Sequence, residues 1–430
     1  MNKKINVLIF PCGAENAIEA YYALKDVVNI NLFGASGRSD HGEYIFENYI
    51  PNVPFINTEE FLPCLNQLIE KYEIDVVIPT HDDVVLKLAE NEKNIKAKIL
   101  VHGYHQAVIC RSKKLTYAQF KGEDFCPEIY NSTSDIKCFP VFVKPDKGQG
   151  SKGAFLAKSE KDLVNCDFNF DEYVVCENLP NEEITVDCLT NYKGELTFIG
   201  PRLRSRINNG ISARSSTIPL CEEIKSIANI ISNRLELNGL WYFQLKKDIN
   251  GKYKLLEVSL RISGTMNLYR VKGINFPLLA VYNSLLYDLN ILENKFNLEV
   301  DRALVNRYKH DIDYEHIYID FDDTITRGLR VNSEVIGFLY NSINNGKKIY
   351  LITKHRHNIF DTLDNLKIHS KIFESVIHLN PESNKADYIE FKKKSIFIDN
   401  SFEERVKINK ELSIPVFDVD AINMLLNWKN

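Results

Sequence analysis

The sequence predicts an α/β and α+β protein of several domains, and three observations support that prediction. The chain has 430 residues, more than a single hydrophobic core usually organises. Strands alternate with helices at both ends of the chain, which is typical of parallel sheets covered by helices. Between these regions, strands dominate. We therefore expect three successive domains, over residues 1–105, 106–309 and 310–430.

The composition indicates a folded protein with reduced thiols. Hydrophobic residues make up 44% of the chain, and its net charge of −5 gives no electrostatic footprint for nucleic acid or an anionic membrane. No apolar run reaches the about 18 residues that a membrane span needs. The nine cysteines form no CxxC pair, so we expect neither a disulfide framework nor a zinc site. Together these features predict a cytoplasmic protein without nucleic-acid or membrane partners.

The first domain is expected to contain a parallel sheet. Apolar runs at residues 5–10, 29–33 and 74–79 predict buried strands, and an amphipathic segment at 59–72 predicts a helix between the last two. The third strand leads into Pro79-Thr80-His81-Asp82-Asp83. Within this segment, His81 and Asp82 are either substrate contacts or part of a capped turn.

A glycine-rich loop follows a strand in the second domain. The strand at 141–144 ends in Lys144, and the loop after it contains Gly148, Gly150 and Gly153. Glycines let backbone N–H groups close over phosphates, and an ammonium at a strand end can contact phosphate oxygens. The pattern suits a phosphate-binding loop, but by itself it also fits an ordinary hairpin.

Downstream strands carry residues that suit a metal and a nucleotide. Glu177 ends one predicted strand, and Glu183 follows six residues later. Gln244 and Glu257 lie towards the ends of two successive strands, with Arg261 four residues further on. Carboxylate and amide oxygens are hard ligands of the kind Mg²⁺ prefers. A nearby guanidinium can stabilise charge on a transferring phosphoryl group.

Taken in order, these segments resemble the ATP-grasp superfamily, in the branch of the carbamoyl phosphate synthase large subunit and D-alanine–D-alanine ligase. The resemblance covers residues 1–305 and implies a Rossmann-like pre-ATP-grasp domain followed by an ATP-grasp fold. It implies a ligase that uses ATP to activate a carboxylate as an acyl phosphate for attack by an amine. The implied cofactors are ATP and Mg²⁺, with Mn²⁺ as an alternative metal.

The resemblance also implies roles for individual residues. The ATP-binding positions would be Lys113, Lys144, Gly150, Ser151, Glu177, Leu179 and Glu183. The metal ligands would be Gln244, Glu257 and Ser259, with Arg261 facing the γ-phosphate as a catalytic residue. Arg204 and Arg206 are candidates for binding the substrate carboxylate, together with His81. Ser259 stands where the superfamily usually has Asn, which puts the binding of a second metal in doubt.

The C-terminal domain carries another set of polar residues at strand ends. The strand that starts at 316 leads to Asp320 and Asp322, and the next strand ends in Thr353. Lys385 lies on a predicted helical stretch, and a later strand ends in Asp399. In chain order, these residues resemble the four motifs of haloacid dehalogenase (HAD)-type phosphohydrolases.

By this second resemblance, Asp320 would be the nucleophile and Asp322 the general acid/base. Thr353 and Lys385 would hold the phosphate, and Asp320, Asp322 and Asp399 would bind Mg²⁺. The fourth motif departs from the usual pattern because Asn400 follows Asp399, so either Glu403 replaces the usual acid or metal binding is weaker. The segments between motifs are too short for a cap domain, which implies an uncapped, Rossmannoid HAD-like domain.

The sequence therefore predicts a bifunctional enzyme, an ADP-forming carboxylate–amine ligase joined to a Mg²⁺-dependent phosphatase. Its partners would be small carboxylates, amines or phosphorylated molecules, and a homodimer is left open. One alternative is a kinase-like ATP-grasp enzyme whose product the phosphatase uses. Another is a regulatory or binding protein in which one catalytic unit has decayed.

Overall fold

The chain forms two compact units, Met1–Leu304 and Val305–Asn430. The computed structural model describes residues 4–148, 150, 152–166, 168–208, 210–308, 310–391, 394–427 and 429. The boundary between the units lies just before the predicted one at residue 310, and the predicted division at residue 105 falls within the first unit.

The first unit contains most of the secondary structure. Its strands are β1 (Ile5–Phe10), β2 (Ile30–Ala35), β3 (Asn48–Ile50), β4 (Val76–Pro79), β5 (Lys98–Ile99), β6 (Ile129–Tyr130), β7 (Val141–Pro145), β8 (Phe155–Ala157), β9 (Tyr173–Glu177), β10 (Glu183–Thr190), β11 (Leu196–Asn208), β12 (Ile211–Thr217), β13 (Gly239–Lys247), β14 (Tyr253–Ser259) and β15 (Glu299–Asp301). Its α-helices are α1 (Glu15–Leu24), α2 (Gly42–Ile45), α3 (Phe61–Lys71), α4 (Asp82–Glu90), α5 (Tyr104–Arg111), α6 (Lys113–Gln119), α7 (Glu160–Asn165), α8 (Glu222–Arg234), α9 (Asn267–Arg270) and α10 (Phe276–Ser284). Short 3-10 turns cover Glu92–Asn94 and Thr133–Asp135.

The N-terminal sheet is parallel, as the alternating pattern predicts, with strand order β3-β2-β1-β4-β5. Val7 and Leu8 in the central strand β1 are fully buried because helices cover both faces of the sheet. The carboxyl ends of parallel strands meet at one edge. The segments that follow β1 and β4, and with them Glu15 and His81, therefore lie at the same edge of this sheet.

Two antiparallel sheets follow, a four-stranded one in the order β6-β9-β7-β8 and a six-stranded one in the order β14-β13-β10-β11-β12-β15. Strand β11 continues well beyond the predicted segment 196–199, and β12 was not predicted at all. The extension contains Arg202, Arg204 and Arg206, which hide the two-residue period of a half-buried strand. Asp187 and Glu183 of β10 and Asp301 of β15 form ion pairs with these arginines and compensate their charges.

A shared hydrophobic core joins the N-terminal sheet to the six-stranded sheet. Leu189 of β10 and Leu240 of β13 belong to the same buried cluster as Ala17 of α1 and Phe276 of α10. A continuous apolar interior of this kind favours one folding unit over two separable ones. It explains why residues on both sides of 105 lie in one compact unit.

The second unit is a smaller α/β fold. Its strands are β16 (His316–Ile319), β17 (Thr326–Arg327), β18 (Arg330–Val331), β19 (Lys348–Thr353), β20 (Ser375–His378), β21 (Ser395–Ile398) and β22 (Val416–Phe417). Its α-helices are α11 (Ser333–Asn344), α12 (Ile359–Asn365), α13 (Phe402–Leu412) and α14 (Ile422–Leu425), with 3-10 turns at Ser370–Ile372, Lys385–Tyr388 and Val419–Ala421.

Five strands of this unit form a parallel sheet in the order β20-β19-β16-β21-β22. Asp320, Thr353 and Asp399 therefore come together at the carboxyl edge of three adjacent strands. Lys385 lies on a 3-10 turn instead of the predicted helical stretch. In the part of the chain that the structure describes, no helix is long and apolar enough to cross a bilayer.

We expect residues 305–430 to fold when expressed alone, because two buried clusters on this sheet draw only on residues of the second unit. Far-UV circular dichroism should show one cooperative thermal transition. Replacing buried Phe338 with Ala should lower the free energy of unfolding by about 3–5 kcal/mol. Leu329, which is 96% exposed, serves as a matched control, and its replacement with Ala should change that free energy by less than about 0.5 kcal/mol. A gradual, non-cooperative melt of the fragment would contradict this expectation.

Candidate active sites

Lys144 is held in a fixed position at the end of β7. Its side chain is almost completely buried, and Nζ donates to the Tyr117 hydroxyl at 2.6 Å and to the Leu256 carbonyl at 3.4 Å. The Tyr117 hydroxyl in turn donates to the Leu256 carbonyl at 2.7 Å. Burial, followed by nearby thiol and carboxyl groups, raises the pKa of Tyr117 well above its usual value. Tyr117 therefore stays a neutral hydroxyl that orients the ammonium without quenching its charge.

Lys113 supplies a second ammonium beside the glycine-rich loop. Its Nζ donates to the carbonyls of Asp146 at 3.2 Å and Gly148 at 3.4 Å. Burial lowers the pKa of Lys113, with the charges of Lys144 and Arg111 acting in the same direction. An anion bound between the two ammonium groups would offset this desolvation and repulsion.

The glycine-rich loop lies against the turn between β11 and β12. Gly150 has φ of 60° and Gly210 has φ of 75°, a region that side chains rarely adopt. A Cβ atom on Gly210 would lie 2.3 Å from the carbonyl carbon of Gly150, so only glycine fits this close approach. Ser151, which was predicted to bind ATP, lies outside the described residues.

The other six predicted ATP-binding residues line one cavity of about 440 Å³, a volume in the usual range for small-molecule sites. They are Lys113, Lys144, Gly150, Glu177, Leu179 and Glu183. Apolar side chains such as Phe142 and Leu156 share the lining. The cavity thus combines apolar surface with cationic groups, as a nucleotide requires.

A second cavity, of about 470 Å³, borders the first. Residues that line both cavities mark their junction: Lys113, Gly148, Gly150, Arg204, Gly210, Gln244 and Glu257. The predicted residues His81, Ser259 and Arg261 line only the second cavity. A ligand in one cavity can therefore reach a ligand in the other past a common set of polar groups.

Arg204 is anchored at this junction. It forms an ion pair with Glu183, donates from Nη1 to the Gln244 Oε1 atom at 3.0 Å, and donates from Nη2 to the Gly210 carbonyl at 2.6 Å. Arg204 and Glu183, which were assigned to different ligands, are therefore direct neighbours. This places Arg204 beside the nucleotide cavity as well as the second cavity.

The prediction that Arg206 accompanies Arg204 at the substrate is not supported by its position. Arg206 lines neither cavity, is half exposed, and pairs with Asp301 at 2.9 Å. The pairing of β11 with β12 shifts register on both sides of Arg206, which breaks the simple alternation of side chains. Arg206 therefore joins Arg214 in an outer cluster around Asp301.

Gln244 and Glu257 face the junction from adjacent strands. They are direct partners in the register of β13 and β14, so their side chains share a face of the sheet. The Glu257 carboxylate forms no hydrogen bond or ion pair with any residue that the structure describes. A free carboxylate beside an amide oxygen is a donor set that suits Mg²⁺, with phosphate oxygens of a nucleotide as the remaining ligands.

Asp82 connects α4 to the end of β14. Arg261 donates from Nε and Nη2 to the two carboxylate oxygens of Asp82 at 2.9 and 3.0 Å, and the Ser259 hydroxyl donates to Oδ1 at 3.0 Å. Burial favours the protonated carboxyl, but the charge and hydrogen bonds of Arg261, with the Ser259 hydroxyl, hold the pKa of Asp82 below its usual value. Ser259 was predicted to bind the metal, but its hydroxyl donates a hydrogen bond to Asp82.

The sequence left open whether His81 caps a turn or faces a substrate, and its position is compatible with both. Its Nδ1 accepts a hydrogen bond from the Asp83 N–H at 3.4 Å and caps α4. Its side chain is also 43% exposed and lines the second cavity.

Sequence reasoning missed four charged residues of the second cavity, Glu15, Arg111, Arg202 and Arg302. Arg302 forms an ion pair with Glu15 at 2.8 Å, and the buried Arg202 makes a two-pronged contact with Asp187. No local sequence pattern marks these residues. Glu15 and Arg302 are far apart in the chain, and Arg202 lies in the part of β11 that was not predicted.

The second unit contains a buried triad of charges. Lys385 Nζ lies 2.6 Å from Asp320 Oδ1 and 2.7 Å from Asp399 Oδ2, and all three residues are nearly inaccessible, as is Thr353. Burial raises the pKa of Asp320 to about 7; Lys385 opposes this rise, and Asp399 adds to it. Burial likewise raises the pKa of Asp399. For Lys385, the two carboxylates outweigh burial and raise the pKa.

The predicted three-carboxylate Mg²⁺ site is not assembled in this arrangement. Asp322 is not part of the triad, and its carboxyl oxygens lie 2.9 and 3.0 Å from His355 Nδ1. Among the residues that the structure describes, no group of three or more His, Cys, Asp or Glu side chains is placed to hold a metal ion. The ammonium of Lys385 lies between Asp320 and Asp399 and offsets the negative charge of the two carboxylates.

Glu404, and not the predicted Glu403, is the acid close to Asp399. Glu403 is exposed, whereas the charge of Glu404 contributes to the raised pKa of Asp399. Glu404 also pairs with Lys354 at 2.8 Å, directly after Thr353. Asn400 donates its N–H to the Thr324 hydroxyl at 3.1 Å, which ties the end of β21 to the segment after β16.

Comparisons with known proteins bear on the first unit. The family described as "ATP-grasp in the biosynthetic pathway with Ter operon" matches residues 169–302. A search of curated proteins finds no match.

Several solved structures share the fold at low sequence identity. Biotin carboxylase from Campylobacter jejuni, in complex with an ATP analogue, is 15% identical over 68% of this chain and 74% of its own, with a TM-score of 0.56. L-amino acid ligase from Bacillus licheniformis is 18% identical over 68% and 76%, with a TM-score of 0.53. N5-carboxyaminoimidazole synthetase from Staphylococcus aureus, complexed with ADP, is 16% identical over 68% and 80%, with a TM-score of 0.55. Residues 169–302 thus match an ATP-grasp family, and the chain shares its fold with these solved structures.

Proposed function

We propose that the first unit is an ADP-forming ligase that joins a small carboxylate to an amine. The observation that carries this proposal is the junction of the two cavities, where Lys113, Gln244 and Glu257 line both. A ligase of this kind must hold the γ-phosphate of ATP within reach of a second substrate. A solved structure of the same fold is named as an L-amino acid ligase, which supports this choice among ATP-dependent reactions.

The chemistry divides between the two cavities. ATP binds in the cavity of Lys144, and the substrate carboxylate binds in the cavity of Arg261. A carboxylate oxygen attacks the γ-phosphorus, the bond to the β-phosphate oxygen breaks, and ADP leaves. The amine then attacks the acyl carbon, phosphate leaves, and an amide remains.

The residues at the junction supply electrostatic stabilisation. The ammonium groups of Lys113 and Lys144 offset charge on the phosphates, and both are held by carbonyl or hydroxyl oxygens that leave their charge intact. Mg²⁺, held by Glu257 and Gln244, would add positive charge at the transferring phosphoryl group. Arg204 lines both cavities at their junction, and Arg261 lines the second cavity.

ADP formation should depend on the cationic and metal-binding residues at the junction. Lys144→Ala removes an ammonium and Glu257→Gln removes the carboxylate proposed to bind Mg²⁺, so each should reduce amine-dependent ADP formation at least ~100-fold. A coupled assay for ADP, run over a panel of amino and sugar acids with amines, measures this effect. Lys161→Ala, on the exposed side of α7, is the matched control and should behave like the wild type. Near-normal turnover by Lys144→Ala would rule out the nucleotide assignment, and ADP formation without any amine would indicate a kinase.

Ser259 and Glu257 should differ in their effects on the Mg²⁺ requirement. Since the Ser259 hydroxyl donates to Asp82, Ser259→Ala should leave the Mg²⁺ concentration for half-maximal ADP formation unchanged. Glu257→Gln should raise that concentration severalfold, because an amide oxygen binds Mg²⁺ less strongly than a carboxylate. Titrating Mg²⁺ at saturating ATP distinguishes the two. A raised requirement in Ser259→Ala would mean that the hydroxyl belongs to the metal site after all.

We propose further that the second unit is a phosphohydrolase of the HAD type, acting on a phosphorylated substrate or product of the ligase. The support is the convergence of Asp320, Thr353, Lys385 and Asp399 at one edge of the parallel sheet. Asp320 would attack phosphorus with a carboxylate oxygen as the bond to the leaving oxygen breaks. Lys385 offsets the repulsion between the attacking carboxylate and the phosphate.

The reaction is completed by Asp322. Its carboxyl group would donate a proton to the leaving oxygen and later accept one from water, which attacks the phosphoaspartate and releases phosphate. Both roles require a carboxyl group that is accessible to solvent, and the Asp322 side chain is 53% exposed.

Hydrolysis of 4-nitrophenyl phosphate by the full chain should require Asp320. Asp320→Asn removes the nucleophile and should abolish hydrolysis while leaving amine-dependent ADP formation intact. Asp323→Asn is the control, because it removes a nearby carboxylate at a residue with φ of 52°, a conformation that Asn tolerates. This variant should retain activity. Equal activity of Asp320→Asn and wild type would exclude the phosphoaspartate route.

A further inference from the structure

The carboxyl group of Asp322 is held by a histidine that the sequence analysis did not single out. His355 Nδ1 lies 2.9 Å from Asp322 Oδ1 and 3.0 Å from Oδ2. The histidine side chain is only 12% exposed, whereas that of Asp322 is 53% exposed. The more buried partner therefore sets the orientation of the more accessible one.

His355 is itself fixed on several sides. Its Nε2 lies 3.0 Å from the Thr362 hydroxyl oxygen on α12, and its backbone N–H donates to the Thr353 hydroxyl at 3.2 Å. The Nε2 atom of His378, at the end of β20, lies 2.7 Å from the His355 carbonyl. The imidazole also packs edge-on against Phe321, with ring centroids 5.2 Å apart. These contacts fix the orientation of the imidazole ring that faces Asp322.

The hydrogen-bond network determines where the protons lie. The Thr362 hydroxyl donates to the Asn358 carbonyl at 3.0 Å, so towards His355 its oxygen can only accept. His355 Nε2 therefore carries a hydrogen. The contact between Nδ1 and Asp322 then needs one proton, which lies either on the nitrogen or on the carboxyl oxygen. Asp322 and His355 thus hold a single proton between them.

We propose that His355 is a positioning residue that orients the Asp322 carboxyl, with the proton that the two residues share, towards the leaving oxygen. This inference rests on the proposed phosphatase function. As the bond from Asp320 to phosphorus forms and the bond to the leaving oxygen breaks, the shared proton passes from Asp322 to that oxygen. When water attacks phosphorus, the bond from phosphorus to Asp320 breaks, phosphate leaves, and one proton of the water passes to Asp322. His355 does not contact the phosphate; it keeps the Asp322 carboxyl in place through both steps.

The dependence of rate on the leaving group tests this role. 4-Nitrophenolate departs readily without a proton, whereas phenolate, the much stronger base, needs one. The full-length protein should be assayed with 4-nitrophenyl phosphate and phenyl phosphate. In His355→Ala, the ratio of kcat/KM for the first substrate to that for the second should rise about tenfold, since general acid catalysis contributes about 10²–10⁴-fold.

Two further variants keep the test valid if His355→Ala folds poorly. His355→Asn places an amide N–H near the position of Nδ1 and should keep the ratio close to the wild-type value. Thr362→Val removes only the anchor of Nε2 and should raise the ratio by a smaller factor. His369→Ala is the matched control, because this exposed histidine of the second unit lies before β20, away from His355, and its removal should leave the ratio unchanged.

The outcomes separate this inference from the phosphatase proposal. If His355→Ala affects both substrates equally or not at all, while Asp320→Asn abolishes both activities, the role of His355 is overturned and the phosphatase stands. If the wild-type protein hydrolyses neither substrate, the phosphatase proposal fails and this inference fails with it. A rise in the ratio that His355→Asn reverses supports the positioning role.

Discussion

The second cavity depends on one contact, the pairing of Asp82 with Arg261 and Ser259. Asp82 stands at the start of α4, at the edge of the N-terminal sheet, whereas its partners follow 177 and 179 residues later at the end of β14. The contact joins the parallel sheet to the six-stranded sheet in the wall of the second cavity. With Asp82 removed, the guanidinium would lose its counter-charge in a largely enclosed wall, which is far more costly than losing an exposed ion pair.

A second consequence follows from how the cations of the first unit are held. Arg204, Arg261 and Arg302 are each paired with a carboxylate, so much of their charge is already neutralised. Lys113 and Lys144 instead bind carbonyl and hydroxyl oxygens, which orient an ammonium but leave its charge. The lysines are therefore the groups best suited to attract phosphates, and the arginines shape the walls. The same logic explains why desolvation lowers the pKa of Lys113.

The second unit also buries charged groups, but there one ammonium lies between two carboxylates. Burial raises the pKa of Asp320 and Asp399, and Lys385 between them opposes this rise and makes two nearby carboxylates tolerable. Asp322, only two residues from Asp320, is accessible and tied to His355. Two carboxyl groups close in sequence thus have different environments, one buried against an ammonium and one accessible beside a histidine.

The sequence by itself determined the features that repeat along the chain. Hydrophobic periodicity located β1, β4 and β7, and alternation with helices predicted both parallel sheets, because these patterns follow from backbone geometry alone. The glycine-rich loop and the strand-end residues were found in the same way, and six predicted nucleotide residues line one cavity. Strand ends are predictable sites because parallel strands expose them at a common edge.

Only the tertiary structure decided how side chains pair across long separations. Because the register of β11 shifts around Arg206, this side chain joins an outer cluster. Strand β12 was not predicted, because the arginines of β11 hide the alternation of the hairpin to which it belongs. Whether Glu403 or Glu404 lies near Asp399 depends on the direction of a side chain in the first turn of α13, which periodicity leaves open. The contacts of Asp82 with Arg261 and of Asp322 with His355 likewise arise when distant segments pack, since a side chain's direction and partners are fixed by its neighbours in space.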